Sequence, residues 1–202
     1  MTLREQATNR AELRQLICDM LRDAVPANGL SSDDPRFITM TGLTSERLRS
    51  DWRSGGHLTS CNSFAGWVAQ QIGAEQGSAL CSGKLDLSGV DSEVPGSWVY
   101  NTGEAMDADL HPQPGDFYCS SLPGQPFAHV GIVVEIDDDT QVWKWVAGGQ
   151  GGPKTSPNNI DYAVDYIKWG PWNANQASTF KEARDKVPGW VDIGYYFFPD
   201  ET

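Results

Sequence analysis

Histidine is scarce in this chain. There are three, His57, His111 and His129, against 202 residues. The four cysteines, Cys18, Cys61, Cys81 and Cys119, include no Cys-x-x-Cys pair. Zinc coordination needs clustered cysteine and histidine ligands, so no metal and no cofactor is expected. Positive charge is also short: 15 Lys and Arg face 27 Asp and Glu, a formal net charge of −12. Sequence-independent binding to nucleic acid or to anionic lipid requires basic patches, so neither partner is expected. No apolar run approaches the roughly 18 residues of a membrane span, which excludes membrane insertion by a helix. Met1 to Met20 carries charges throughout and has no apolar core like that of a signal peptide. The expectation is a cytoplasmic chain until a non-classical route exports it, acting in periplasm or cell wall. Composition is otherwise ordinary, 39% hydrophobic and 21% charged, which argues against wholesale disorder. The length suits one domain, residues 1–202, with residues 1–50 as an N-terminal helical extension.

What is present centres on Thr59-Ser60-Cys61-Asn62-Ser63-Phe64-Ala65-Gly66-Trp67-Val68. Thr59 and Ser60 are candidate N-caps, and Phe64, Val68 and Ile72 recur at helical spacing until Gly73. A thiol on the first turn feels the positive end of the helix dipole, which favours the nucleophilic thiolate. The competing reading makes Cys61 a small buried hydrophobe. Further on, Pro112-Gln113-Pro114-Gly115-Asp116-Phe117-Tyr118-Cys119 reads as a turn feeding a strand. His129-Val130-Gly131-Ile132-Val133-Val134-Glu135-Ile136 reads as a second strand. Alternation puts Val130, Ile132, Val134 and Ile136 on one face, with His129, Gly131, Val133 and Glu135 on the other. Gly131 leaves room beside His129 for another element. If that element is the Cys61 helix, His129 is placed as general base for the thiol.

The remaining segments follow from periodicity and turn residues. Leu3 to Val25 reads as one helix, Leu30 to Met40 as a loop, and Thr44 to Trp52 as a short helix. Gly77 to Leu110 is a long connection rich in Gly, Ser and Asp. Ile160 to Lys168 is a candidate strand, Gln176 to Asp185 a short helix, and Val191 to Phe198 a final buried strand. Cys18 and Cys119 read as core, and a Cys81–Cys119 disulfide is conceivable. Ala147-Gly148-Gly149-Gln150-Gly151-Gly152-Pro153 lacks the Gly-Lys-Ser/Thr ending of a phosphate loop and reads as a flexible loop bordering the site. Of the eight tryptophans, five lie in the C-terminal third; such residues mostly build cores, and exposed ones would suit stacking in a groove.

In order and spacing, Cys61-Asn62-Ser63-Phe64-Ala65, Pro114-Gly115-Asp116 and His129-Val130-Gly131-Ile132 resemble the motifs of the NlpC-like cell-wall cysteine peptidases, and more distantly the CHAP amidases. The likeness covers roughly residues 51–152. Asn62-Ser63 stands where the family usually has Ser-Gly. The resemblance implies an α+β fold with a papain-like core, a nucleophile helix packed on a central antiparallel sheet, here with an extra N-terminal helix. It implies a cysteine hydrolase in which Cys61 attacks an amide of a peptidoglycan stem peptide or crosslink and His129 activates it. The Cys61 N–H would supply part of the oxyanion hole. It also allows an antibacterial effector or lysin, with an immunity protein in its producer.

The family expects a third, polar residue on the strand after the histidine, here Gln141 to Val146. Lys144 cannot accept a hydrogen bond. Gln141 lies too near the hairpin end, and Glu135 sits roughly 20 Å along the strand from His129. Gln150, just beyond the strand, offers an amide oxygen and is the expected orienting residue. The alternative is a backbone carbonyl from Ala147 or Gly148. Two other functions fit the same residues: a non-catalytic binding module on the fold, and a Cys–His acyltransferase or deamidase acting on protein side chains.

Overall fold

A computed structural model gives the fold; it describes every residue except 103–109, 123, 138, 140–141, 152–163, 171–185 and 202. The expected Gln176–Asp185 helix, Gln141 and Trp172 lie outside the described residues.

The chain is α+β, with one seven-stranded antiparallel sheet and six α-helices among the described residues. In chain order these are α1 (Leu3–Gln6), α2 (Arg10–Ala24), β1 (Leu30–Ser31), α3 (Pro35–Thr41), α4 (Ser45–Arg53), α5 (Cys61–Ile72), β2 (Trp98–Tyr100), β3 (Phe117–Leu122), β4 (Gln125–Ile136), β5 (Trp143–Ala147), β6 (Tyr166–Gly170), β7 (Gly189–Val191) and α6 (Ile193–Phe197). The strand order is β1-β6-β5-β4-β3-β7-β2. Strands β3, β4 and β5 form a meander, as the alternation of their residues predicts.

Helix α5 packs its Phe64, Val68 and Ile72 stripe into one core with Val130, Ile132 and Val134 of β4. Val133 of β4 faces a second cluster, with Tyr118, Trp143, Val187 and Trp190. This corrects one expectation. The space beside Gly131 is filled by the Tyr118 ring, not by α5: a Cβ on Gly131 would lie 2.7 Å from that ring. Tyr118 is 4% exposed and cannot swing clear. Gly131→Ala is expected to lower stability by about 1–3 kcal/mol through overpacking, read as a fall in the urea midpoint.

Three local readings also change. The N-terminal helix is two helices, because Ala7 is extended and Asn9 restarts the chain by capping Glu12 N–H. Leu30 to Met40 is not a loop throughout: Asp34 caps and Pro35 opens α3. The C-terminal apolar run divides, with Gly189–Val191 as strand and Ile193–Phe197 as helix, because the Asp192 carboxylate caps Tyr195 N–H.

The aspartate of Pro114-Gly115-Asp116 is structural. It is 1% exposed and accepts the Gln113 and Ile193 N–H groups. Arg14 of α2 donates to it at 2.5 Å and to Asp192 at 2.6 Å. One arginine thus joins α2, the β3 turn and the start of α6. The described tryptophans build core: Trp52, Trp98, Trp143 and Trp190 are buried, and Trp67, Trp145 and Trp169 are half-buried. All four cysteines are free. Cys119 donates to Leu85 O at 3.2 Å, and Cys81 points at Gly66 O. Among the described residues no helix is long and apolar enough to cross a membrane.

Candidate active site

Cys61 is the first residue of α5, with Ser60 at the N-cap. Ser60 does not cap with its side chain. Its hydroxyl turns the other way and accepts Gly149 N–H at 2.8 Å. The Cys61 thiol is 3% exposed and lies 3.3 Å from the Thr59 hydroxyl. Burial pushes its pKa up; the Thr59 hydroxyl and the Asn62 and Cys61 N–H groups pull it down, and Asp165 adds to the rise. Burial is the largest of these effects, so the thiol is held above its ordinary pKa.

The loop after β5 lies directly on this helix start. A Cβ on Gly148 would sit 2.6 Å from Ser60 O, closer than any side chain tolerates. Gly149 has φ +70°, and a Cβ there would stand 3.3 Å from Cys61 Cβ. These two glycines are required by the close approach. The loop is pinned rather than loose: Gly149 N–H reaches Ser60 and Gln150 N–H reaches Tyr166 O.

Gln150 reaches His129, its amide nitrogen 3.0 Å from His129 Nε2. The same nitrogen donates to Gly148 O at 3.0 Å. That carbonyl holds the amide with its NH2 toward the ring, since flipping it would set two acceptors against each other. Gln150 therefore donates to Nε2, the reverse of the expected acceptor role, and the imidazole proton sits on Nδ1. Burial pushes the His129 pKa down to about 4. At neutral pH the ring is neutral. Gln150→Glu exchanges this donor for a carboxylate acceptor and is expected to raise the His129 pKa by about one unit or more. A proton NMR titration of the ring checks it.

Consecutive residues of one loop thus touch Cys61 and His129. Among the described residues no hydrogen bond joins the two directly; Cys61 pairs with Thr59 and His129 with Gln150. One residue of the site escaped the sequence reading. Asp165, at the start of β6, is fully buried and accepts Ser60 N–H at 2.8 Å. An aspartate inside an apolar strand pattern is a signal for a buried partner, but nothing local names Ser60, 105 residues away. Among the described residues no cluster of three or more His, Cys, Asp or Glu could hold a metal ion.

No protein-family model, curated protein or solved structure matches this chain.

Proposed function

We propose that the chain is a cysteine hydrolase with an NlpC-like, papain-like core, cleaving amide bonds in bacterial cell-wall peptides. The observation that carries the reading is the Gly148-Gly149-Gln150 segment, which packs on Cys61 at a helix start and bonds His129. Nε2 of His129 faces Gln150, which leaves Nδ1 as the nitrogen for the thiol. For turnover the ring first passes its Nδ1 proton to water and takes one at Nε2, and Gln150 breaks its bond to Gly148 O to turn its amide oxygen to Nε2–H; Nδ1, now bare, takes the proton of Cys61 as sulfur bonds to the substrate carbonyl carbon, whose π electrons move to oxygen. The Cys61 N–H stabilises the developing oxyanion. The imidazolium then protonates the leaving amine, and water releases the acyl group from sulfur. Neutral thiol and neutral imidazole at rest make this general-base catalysis rather than a preformed ion pair.

Incubation with purified peptidoglycan, followed by mass spectrometry of the soluble fragments, tests the reading. Fragments with a newly freed amine and carboxylate support it. No new fragment at any pH from 5 to 9 counts against it. Activity as an exported antibacterial effector, with an immunity protein covering the Cys61 centre, extends the same proposal.

A second reading is a non-catalytic binding module. The near-complete burial of Cys61 and the missing Cys61–His129 bond favour it. Under that reading Cys61 resists iodoacetamide in the native state even at pH 9, and the hydrolase reading requires that it react.

A further inference from the structure

Thr59 meets the Cys61 sulfur directly. Its Oγ1 lies 3.3 Å from Sγ, within hydrogen-bond reach of a sulfur. The residue is half-buried and stands just outside α5, before the Ser60 N-cap. Gly149 walls the side chain in. A Cβ on that glycine would lie 3.3 Å from Thr59 Cβ, from Thr59 Oγ1 and from Cys61 Cβ. The glycine is itself fastened, its N–H donating to the Ser60 hydroxyl at 2.8 Å. Threonine is stiff at χ1, so the wall on one side and the sulfur on the other leave the hydroxyl little freedom. Among the described residues that hydroxyl has no hydrogen-bond partner besides Sγ.

The sense of this bond depends on the state of the sulfur. With the neutral thiol the hydroxyl can accept S–H or donate to sulfur. With the thiolate it can only donate, since sulfur then carries no proton. A hydrogen bond to an ionised partner is about twice as strong as a neutral one, so the contact tightens as the thiol loses its proton. Burial raises the thiol pKa, and this hydroxyl is first among the groups that lower it.

We infer that Thr59 is a catalytic residue of the Cys61 centre, its hydroxyl donating to sulfur while negative charge stands there. That occurs as His129 takes the thiol proton, and again as the carbon–sulfur bond of the acyl intermediate breaks and its electron pair returns to sulfur. The Thr59 proton stays on its own oxygen throughout. The inference rests on the reading of Cys61 as nucleophile.

The test compares Thr59→Val and Thr59→Ser with the wild-type chain. Valine keeps the shape and exchanges the hydroxyl for a methyl; serine keeps the hydroxyl and loses the methyl. Alkylation of Cys61 by iodoacetamide is followed against pH, with the labelled peptide identified by mass spectrometry; kcat and KM are measured on a cell-wall peptide. The titratable side chains bonded around this helix start, Asp165 on Ser60 N–H and His129 on Gln150, are the same in all three chains. In Thr59→Val the alkylation midpoint should rise by about one pH unit, the worth of one hydrogen bond to a charged group. Its kcat should drop about tenfold, with KM little changed. Thr59→Ser should keep the wild-type midpoint and a kcat within about threefold of wild type. Equal midpoint shifts in both variants mean lost packing and overturn the inference, as does no shift in Thr59→Val. Should Thr59→Val fail to fold, Thr59→Ala removes the same hydroxyl without bulk beside the sulfur, and the same rise is required of it. A wild-type Cys61 that resists alkylation at every pH up to 9 also overturns the inference. The alkylation readout needs no substrate. A chain that cleaves nothing, yet shows the midpoint rise in Thr59→Val alone, loses the hydrolase reading and keeps the Thr59 bond to the thiolate. A chain that cleaves, with midpoint and kcat unmoved in Thr59→Val, does the opposite.

Discussion

Replacing Cys61 with alanine is expected to abolish hydrolysis, a loss of about a thousandfold or more in kcat, while the fold persists. In the proposed mechanism the thiol bonds the substrate carbonyl; of its neighbours, Thr59 turns its hydroxyl to that thiol and Ser60 spends its hydroxyl on Gly149. The structural penalty is small but real. Cys61 belongs to the α5 core and is 3% exposed, so loss of its sulfur lowers stability by about 1 kcal/mol. Cys119→Ala is the matched control. Its thiol is fully buried in the same core, so stability falls and kcat does not. Turnover on a cell-wall peptide, set beside a urea titration of each variant, separates the two. Loss of turnover in Cys119→Ala instead would move the nucleophile to β3.

The largest effect on stability belongs to Arg14→Ala. The guanidinium is the cation for a buried carboxylate, and removing it leaves Asp116 with only backbone donors. Breaking such a pair costs about 3–5 kcal/mol, which corresponds to a fall of about 1–2 M in the urea midpoint. The pH dependence follows from Asp116. Burial pushes its pKa up to about 7, against the pull of Arg14. A folded pKa above the unfolded value gives a contribution that is complete below the unfolded pKa, about 4, and lost as pH rises through about 7. The gap between Arg14→Ala and wild type should therefore be smallest near pH 5, where the carboxyl is protonated, and widest near pH 8. A gap that is constant from pH 5 to 8 would mean that Asp116 stays ionised throughout.

How much was legible depended on the range of the signal. The α5 helix, the turn at Pro114 and the β3–β4–β5 meander were readable because helical apolar spacing, glycine turns and alternation are local. The break between α1 and α2 was also written locally, in Asn9 and Glu12, but no glycine or proline stands between Leu3 and Leu13 to signal it. The run from Val191 to Phe198 was ambiguous because continuous apolar residues carry neither period; the cap from Asp192 decided it. Gln150 was selected as the partner of His129 by eliminating its neighbours, and the two residues do meet. Its hydrogen-bond sense was beyond reach, since Gly148 O fixes it in three dimensions. The place of α5 relative to Gly131 failed for a similar reason. The free space beside a glycine is visible in sequence, but its occupant, Tyr118, is a cross-strand neighbour set by register. Asp165 reaches Ser60 only after β6 joins β5.

The central claim is that Cys61 forms a covalent acyl intermediate. It is tested most directly by acid-quenching the chain during turnover of a cell-wall peptide and weighing it by mass spectrometry. The account predicts a population heavier by the acyl fragment of the substrate, with the added mass on the tryptic peptide that contains Cys61, and none in Cys61→Ala. Turnover with no adduct on that peptide, or with the adduct on Cys81 or Cys119, would contradict it.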